Sequence, residues 1–248
     1  YRAGLIGAYT GLGQLDSAEA LIVLPVDPTA TEEYLYRAGR VLALRHRWAD
    51  ALAFFNTGMA RNASSARMVR ERGACHAMLG DSAKARADLD EAIHLAPRDA
   101  AGYNSRGYYR YMVFGEYRKA LADMDRAIKQ DPNYGFAFSN RGWCNYQLGD
   151  TVRARRDLAL AVRKNPSNAY AYRSLGIIDL DAGLAVKGCG NLHRALELSF
   201  TATYGNEVAD LVVKHCSMAV PVLLPAPSPN TVPSNAPSTP PKSRTNAP

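Results

Sequence analysis

A period of 34 or 35 residues runs through most of this chain. Glycine recurs with that spacing at Gly39, Gly73, Gly107, Gly142 and Gly176. Two further series of small residues keep the spacing to within a residue: Ala18, Ala51, Ala85, Ala120, Ala154 and Gly188, then Gly58, Ala92, Ala127, Ala161 and Ala195. A fixed period of this length is typical of stacked repeats, in which each unit buries its apolar side only against its neighbours. The period therefore constrains the fold to a solenoid of similar units.

Two kinds of helix-ending residue divide each unit. Pairs of glycine and an acidic residue stand in mid-unit at Gly80-Asp81, Gly115-Glu116 and Gly149-Asp150, and prolines follow the second stretch at Pro97, Pro132 and Pro166. Glycine permits left-handed backbone dihedrals, and proline lacks the backbone donor that a continuing helix needs. Each unit is therefore predicted to contain a helix, a tight turn, a second helix and another turn. Large residues are predicted to fill the space between the helices at Phe55, Leu89, Tyr103, Met124, Phe138, Leu158 and Tyr172.

These units resemble the tetratricopeptide repeat family. The resemblance covers about residues 1–200 and rests on complete units such as Phe138-Ser139-Asn140-Arg141-Gly142, Gly149-Asp150, Ala154, Leu158, Ala161 and Pro166. It implies an all-α superhelix, which is a solenoid of helical hairpins. The predicted domain spans residues 1–219, with a partial unit at 1–31 and full units at 32–65, 66–99, 100–134, 135–168 and 169–202. The segment from Lys187 to Cys216 is similar to the end of many bacterial members.

Three local departures from the repeat pattern carry their own predictions. His46 stands in the first full unit where the other units have glycine, so the turn there is less well defined by sequence. One extra residue between Gly107 and Gly115 predicts that a first helix bulges or overwinds locally, and a π-type turn is one form of this. The Leu24-Pro25 step predicts that the second helix of the partial unit ends near Leu24.

The end of the domain is predicted to be a capping helix at residues 206–219, because Val208 and Leu211 alternate at helical spacing with Glu207. An antiparallel hairpin that turns near residues 202–203 places Cys189 and Cys216 level with each other on neighbouring helices. Such helices lie about 8–10 Å apart, so inward-pointing thiols can reach disulfide distance. We therefore predict a disulfide between these two cysteines as one of two open alternatives, the other being free thiols.

The composition changes abruptly at residue 220. Nine of the 14 prolines lie in residues 221–248, among Ser, Thr, Asn and Ala and without any acidic residue. Such a segment buries too little apolar area to offset chain entropy, so residues 220–248 are predicted to be a disordered Pro/Ser/Thr-rich tail. This tail and a disulfide would favour an exported or periplasmic protein. Without the disulfide, a cytoplasmic protein is the expectation. The chain starts at Tyr1, so we expect it to be a processed product or a fragment.

No pattern of catalytic or cofactor-binding residues was found in the sequence. The histidines stand at 46, 76, 94, 193 and 215, without a pair at metal-ligand spacing and without a phosphate-binding loop. Cys189, His193 and Cys216 would need a further ligand to form a metal site. Cys75 and Cys144 occupy equivalent places in their units, which favours burial. The sequence therefore predicts no enzyme, no cofactor and no metal.

The net charge of the chain excludes few kinds of partner, but the distribution of the charged residues disfavours some. The formal net charge is +7, and the Lys and Arg residues form no long block, which disfavours nucleic acid as the partner. No apolar run approaches the length of about 18 residues that a membrane-spanning helix needs. The acidic residues Asp88, Asp90, Asp123 and Asp125 are predicted to lie on the solvated faces of second helices.

The resemblance also implies where a partner binds. First helices of the family line a concave groove, and this correspondence gives as peptide-binding residues Tyr36, Arg40, Arg67, Arg70, Asn104, Tyr108, Phe136, Trp143, Tyr146, Tyr170 and Arg173. Aromatic and arginine side chains dominate binding hot spots, and arginine binds carboxylates in a bidentate way. With few acids predicted in the groove, the expected ligand is a protein or peptide segment with acidic and apolar groups.

The predicted function is a non-catalytic protein–protein interaction scaffold or adaptor. The carboxylate clamp of chaperone-binding members is not expected, because Ala101, Phe136 and Tyr170 stand where lysine would be needed. One alternative is a regulatory repeat arm of a longer, possibly enzymatic protein. Another is self-association through the N-terminal edge of the stack.

Overall fold

A computed structural model of the chain describes residues 1–201 and 205–216, and the regular structure in these ranges is helical without any strand. The predicted tail, residues 220–248, lies outside the described residues. Within residues 1–201 and 205–216 the helices described form six hairpins followed by the helix Glu207–His215. Within the described ranges, no helix combines the length and the apolar character needed to cross a membrane.

The hairpins follow one another along the chain. They are α1–α2 (Arg2–Gly11 and Leu15–Glu19), α3–α4 (Glu32–Leu44 and Trp48–Arg61), α5–α6 (Ala66–Met78 and Ser82–Leu95), α7–α8 (Ala100–Arg106 and Tyr117–Gln130), α9–α10 (Gly135–Gln147 and Thr151–Lys164) and α11–α12 (Ala169–Asp181 and Ala185–Glu197). The last helix, α13, spans Glu207–His215. Consecutive first helices, which are the odd-numbered ones from α1 to α11, contact each other and form the inner side of the stack. The prediction of an all-α solenoid is confirmed.

Small and large residues pair across each hairpin. A Cβ atom added at Gly39 would lie 2.7 Å from the Phe55 ring, and one added at Gly142 would lie 2.9 Å from Leu158. The helices are therefore too close for any side chain at these positions. Phe55 and Leu158 are fully buried, as are Leu89 and Met124 at the same place in other units. Burial of these large side chains supplies the apolar core that a single hairpin lacks.

The extra residue after Gly107 forms the predicted π-type turn. Helix α7 continues into a π-helical turn at Gly107–Tyr111 and a 3₁₀ turn at Met112–Phe114. A π turn absorbs one additional residue without ending the helix. Gly107 consequently stays opposite Met124, where an added Cβ would lie 2.6 Å from the methionine methyl group.

Two details of the first units differ from expectation. His46 adopts φ = 59°, so the turn of the first full unit has the left-handed geometry that glycine gives at Gly80 (φ = 83°). Helix α2 ends at Glu19, and the prediction of an end near Leu24 was wrong. The Ile22 N–H donates to the Glu19 carbonyl at 2.8 Å, so the chain leaves the helix in tight turns before it reaches proline.

A ladder of buried ion pairs repeats along the stack and corrects the prediction of solvated acids for Asp88 and Asp123, whereas the side chain of Asp125 is 62% exposed. Asp88 and Asp123 are only 8% and 2% exposed. The carboxylate of Asp123 accepts hydrogen bonds from Nε and Nη2 of Arg106 at 2.8 and 2.7 Å. Arg72 binds Asp88 in the same bidentate way, and Arg141 binds Asp157. Donation of hydrogen bonds to these carboxylates raises the pKa of each of the three arginines.

Two of these arginines also join neighbouring hairpins. Arg106 donates to Asp90 of α6 at 2.9 Å, and Arg141 donates to Asp125 of α8 at 2.8 Å. Arg106 and Arg141 therefore each bridge the second helix of their own hairpin and that of the preceding hairpin. Sequence reasoning missed the ladder because the residues that form it lie 16 or 17 positions apart.

Helix α13 closes the stack. It packs against α12, and a disulfide joins Cys189 of α12 to Cys216, with 5.6 Å between their Cα atoms. Cys189 is fully buried, together with Leu192 and Val208. The predicted capping helix extended to residue 219, and its residues 217–219 lie outside the described part of the chain.

Two glycine-to-alanine substitutions are expected to change stability in opposite directions. A Cβ added at Gly149 or Gly190 would meet no atom of a packed neighbour within 4 Å in the described part of the chain, so neither change creates a clash there. Gly149 has φ = 86°, and alanine there should lower the free energy of unfolding by about 1 kcal/mol. Gly190 lies inside α12, where alanine should raise it by about 0.5–1 kcal/mol. Urea unfolding of both variants tests this, and equal signs would contradict it.

Candidate functional site

The groove lies on the inner side of the stack and begins with a stacked pair from α3 and α5. The guanidinium carbon of Arg67 lies 4.4 Å from the centre of the Tyr36 ring. The same atom of Arg40 lies 5.8 Å from that ring. Arginine over an aromatic face gains electrostatic stabilisation from the ring quadrupole. The structure thus brings together three of the residues that the family correspondence selected.

Acidic side chains accompany the arginines of the groove, which corrects the expectation of few acids. Arg67 pairs with Glu33 at 2.9 Å, and Arg70 pairs with Asp99 at 2.7 Å and with Glu71 at 3.2 Å. The Arg70 side chain is only 14% exposed. Arg40 differs, because its side chain is 46% exposed and its Glu71 contact is long, at 3.8 Å. Among the four predicted arginines, Arg40 is therefore the most open to a ligand.

The other end of the groove is an aromatic cluster around Arg173. The guanidinium carbon of Arg173 lies 4.2 Å from the Trp143 ring centre and 5.3 Å from that of Tyr170. The Tyr146 ring centre lies 5.5 Å from that of Trp143, and the Tyr146 hydroxyl donates to Asp181. Four predicted residues on α9 and α11 thus form one cluster.

Arg173 is already engaged by the end of the chain. Its Nε donates to the Glu207 carboxylate of α13 at 3.0 Å, and its Nη2 also binds that carboxylate. Arg173 is 8% exposed, and its Nη1 is buried without a hydrogen-bond partner among residues 1–201 and 205–216. A carboxylate of a ligand could reach this guanidinium only by competing with Glu207.

A cavity of about 280 Å³ lies in the middle of the groove. Its walls come from five of the first helices, α3 to α11, and include Arg40, Glu71, Asn104, Tyr108, Tyr134, Phe136, Ser139, Asn140 and Tyr170. Burial raises the pKa of Tyr108 and of Tyr170, so both hydroxyls stay protonated near neutral pH. The cavity therefore combines aromatic walls and neutral hydrogen-bonding groups with one half-exposed cation, Arg40, and one carboxylate, Glu71, which pairs with Arg70 at 3.2 Å.

Tyr134 and Glu71 line this cavity although sequence reasoning did not select them. Tyr134 is the N-cap residue of α9, and burial raises the pKa of its hydroxyl. N-cap residues of other first helices also reach back to the preceding first helix, because Asp99 pairs with Arg70 and Asn168 donates to Ser139 at 3.2 Å. The last position of each unit was therefore the signal that could have identified Tyr134.

Asn104 and Asn140 do not form an open clamp. The Nδ2 of Asn140 donates to Oδ1 of Asn104 at 2.9 Å, so each amide uses part of its hydrogen-bonding capacity on the other. This geometry gives no support to a clamp for a chain-terminal carboxylate.

The remaining chemistry-bearing residues lie elsewhere. Cys75 and Cys144 are fully buried, and burial raises the pKa of each thiol to about 12, so neither is a reactive thiolate near neutral pH. In residues 1–201 and 205–216, no three His, Cys, Asp or Glu side chains are grouped as metal ligands. Of the candidates for a metal site, Cys189 and Cys216 are bonded to each other.

The chain is similar to known proteins in its repeated sequence pattern and in its structure. The family model described as "Tetratricopeptide repeat" matches residues 36–100 and 109–169. No curated protein matches the chain. A tetratricopeptide repeat protein from Parabacteroides merdae superposes with a TM-score of 0.68 and 16% identity, over 86% of this chain and 83% of that one. A thermophilic protein of Thermus thermophilus with the same repeat has a TM-score of 0.63 and 20% identity, over 75% of this chain and 98% of that one.

Proposed function

The chain belongs to the tetratricopeptide repeat family, whose repeats imply a scaffold for protein–protein interaction, and we propose that its concave groove binds an extended segment of a partner protein. The observation that supports this is the cavity of about 280 Å³ in mid-groove. Its walls belong to several units, as an extended ligand crossing the units would require. Concave sites with apolar walls and a few polar groups are typical of ligand binding.

The ligand segment should present one acidic group and at least one apolar side chain. Arg40 supplies the half-exposed cation at the cavity, while Phe136, which is 42% exposed, supplies an apolar wall. The other groove arginines are held by Glu33, Asp99 and Glu207. The acidic group of the ligand should therefore bind near Arg40, with its apolar side chain against Phe136.

An Arg40→Glu/Phe136→Ala variant tests the proposal. Both side chains are partly exposed, so the variant should keep its helical content. Removing an aromatic contact and reversing a charge at the centre of an interface should weaken binding by at least about tenfold, which is about 1.4 kcal/mol. The measurement is capture from a lysate of the source cell, identification of the bound protein, and titration of its binding segment.

The matched control is Val213→Ala/Lys214→Glu on α13. These side chains are also exposed, and the changes are of the same chemical kind. The control should retain the partner. A partner that stays bound equally well to the groove variant would refute the groove as the binding site.

A further inference from the structure

The positive charge of the chain is concentrated on two outer helices. Helix α8 has four Lys or Arg and two Asp, and α10 has five Lys or Arg and one Asp. Together they carry a net charge of +6, against +7 for the whole chain. Clustered charge of one sign raises the local concentration of oppositely charged partners and speeds their association.

A cleft lies between these two helices on the outer side of α9. Its volume is about 470 Å³, larger than that of the groove cavity. Leu121, Phe138 and Leu160 give it apolar surface, and Arg153 and Arg156 stand on its α10 side. Asp125 and Asp157 also line it, and both are bound to Arg141. Arg141 and Asn145 lie beside Phe138 on α9, so the cleft combines apolar and polar surface, and its α10 side is basic.

Several cations of the cleft and of its two flanking helices are not used by the fold. Arg156 is exposed and forms no ion pair within residues 1–201 and 205–216, and the same holds for Arg118, Lys129 and Arg163. Arg153 is 77% exposed, and its pairing with Asp150 at 3.3 Å is a surface contact between residues of the same turn. Such exposed pairs contribute little to stability, so these side chains are free to bind a partner.

The equivalent cleft two hairpins earlier has the same position but different chemistry. It lies between α4 and α6, has a volume of about 340 Å³, and is lined by Asn56, Lys84 and Ala87. These residues stand where the α8–α10 cleft has Asp125, Arg153 and Arg156. The cleft is therefore a product of hairpin stacking, whereas its basic rim belongs to α10.

We propose that the cleft between α8 and α10 is a second binding site, on the outer face, for an acidic segment of a partner protein that also carries apolar side chains. This site is separate from the concave groove. The C-terminal residues 217–248 are not the occupant, since they contain Lys242 and Arg244 and no acidic residue. The side chain of Asp125 is 62% exposed and would repel a continuous line of phosphates. An acidic peptide fits better, because it can place an apolar side chain instead of a charged one beside Asp125.

The test uses a synthetic peptide of alternating Glu and Leu pairs with both ends blocked, and a second peptide with Gln in place of Glu. The acidic peptide should bind the wild-type chain, and raising NaCl from about 0.05 M to about 0.5 M should weaken binding through screening. Arg153→Glu/Arg156→Glu should weaken it by at least about tenfold. The matched variant Lys84→Glu/Ala87→Glu in the equivalent cleft should change it by less than about twofold. Each titration is made in the Arg40→Glu/Phe136→Ala background, so that binding in the groove does not contribute. The Gln peptide should not bind.

Four outcomes overturn the proposal. One is the absence of binding of the acidic peptide. Another is an equal loss in the α4–α6 cleft variant, which would indicate non-specific charge attraction. The third is tighter binding of duplex DNA or phosphatidylserine vesicles, lost in Arg153→Glu/Arg156→Glu, which would assign the site to nucleic acid or membrane. The last is unchanged binding in Arg153→Gln/Arg156→Gln with intact helicity by circular dichroism.

Discussion

Replacing Asp123 by alanine should lower the free energy of unfolding by about 3–5 kcal/mol, because it breaks a buried ion pair and leaves an arginine without its main partner. The Asp123 side chain is 3% exposed and that of Arg106 is 15% exposed. Both carboxylate oxygens accept hydrogen bonds from that guanidinium, at 2.8 and 2.7 Å. Without them the charge on Arg106 remains largely desolvated, and only Asp90, whose side chain is 43% exposed, still pairs with it.

The neighbouring Asp125 provides the control. It lies on the same helix and accepts a hydrogen bond from Arg141 at 2.8 Å, but its side chain is 62% exposed. Asp125→Ala should therefore cost no more than about 1 kcal/mol. Urea unfolding followed by circular dichroism measures both variants. Equal losses would mean that burial does not set the strength of these pairs, and the ladder would then be incidental to stability.

Removing the disulfide should have the second largest effect and should act on the end of the stack. The bond joins cysteines separated by 27 residues, and a closed loop of this size restricts the unfolded chain by about 3–4 kcal/mol. Cys189→Ser/Cys216→Ser should therefore destabilise the hairpin of α12 and α13 by roughly that amount. Because contacts in a repeat stack are between neighbours, the loss should fade toward the N-terminal units.

Amide hydrogen exchange distinguishes this local effect from a global one. Protection should fall in residues 207–215 and remain in α5 and α6. Helix α13 holds Glu207 against Arg173, and Arg173 lies on Trp143, so loss of the disulfide should also change the fluorescence of Trp143. This is measured in a Trp48→Phe background, in which Trp143 is the remaining tryptophan. Reductant should reproduce these changes in the wild-type chain and have no further effect on the double variant. Unchanged protection of 207–215 in the variant would show that packing alone holds the cap.

The sequence by itself determined the hairpins and even one of their irregularities. In a repeat stack each unit contacts only the next, so the residues that define a hairpin lie close in sequence and their spacing is readable. The extra residue after Gly107 could be predicted to form a π turn for the same reason, because a helix accommodates an insertion locally. The left-handed turn at His46 shows the limit of that reading, since the stacked neighbours impose the geometry on a residue that does not favour it.

Only the tertiary structure decided which charged groups are buried and which are free. Asp123 and Asp125 have nearly the same sequence surroundings, yet the rotation of α8 about its axis buries one and exposes the other. Family correspondence placed Arg173 in the groove, but its pairing with Glu207 depends on how α13 folds back onto α11. Ion pairing depends on distances of a few ångströms between side chains of different hairpins, and no periodicity in the sequence specifies those distances.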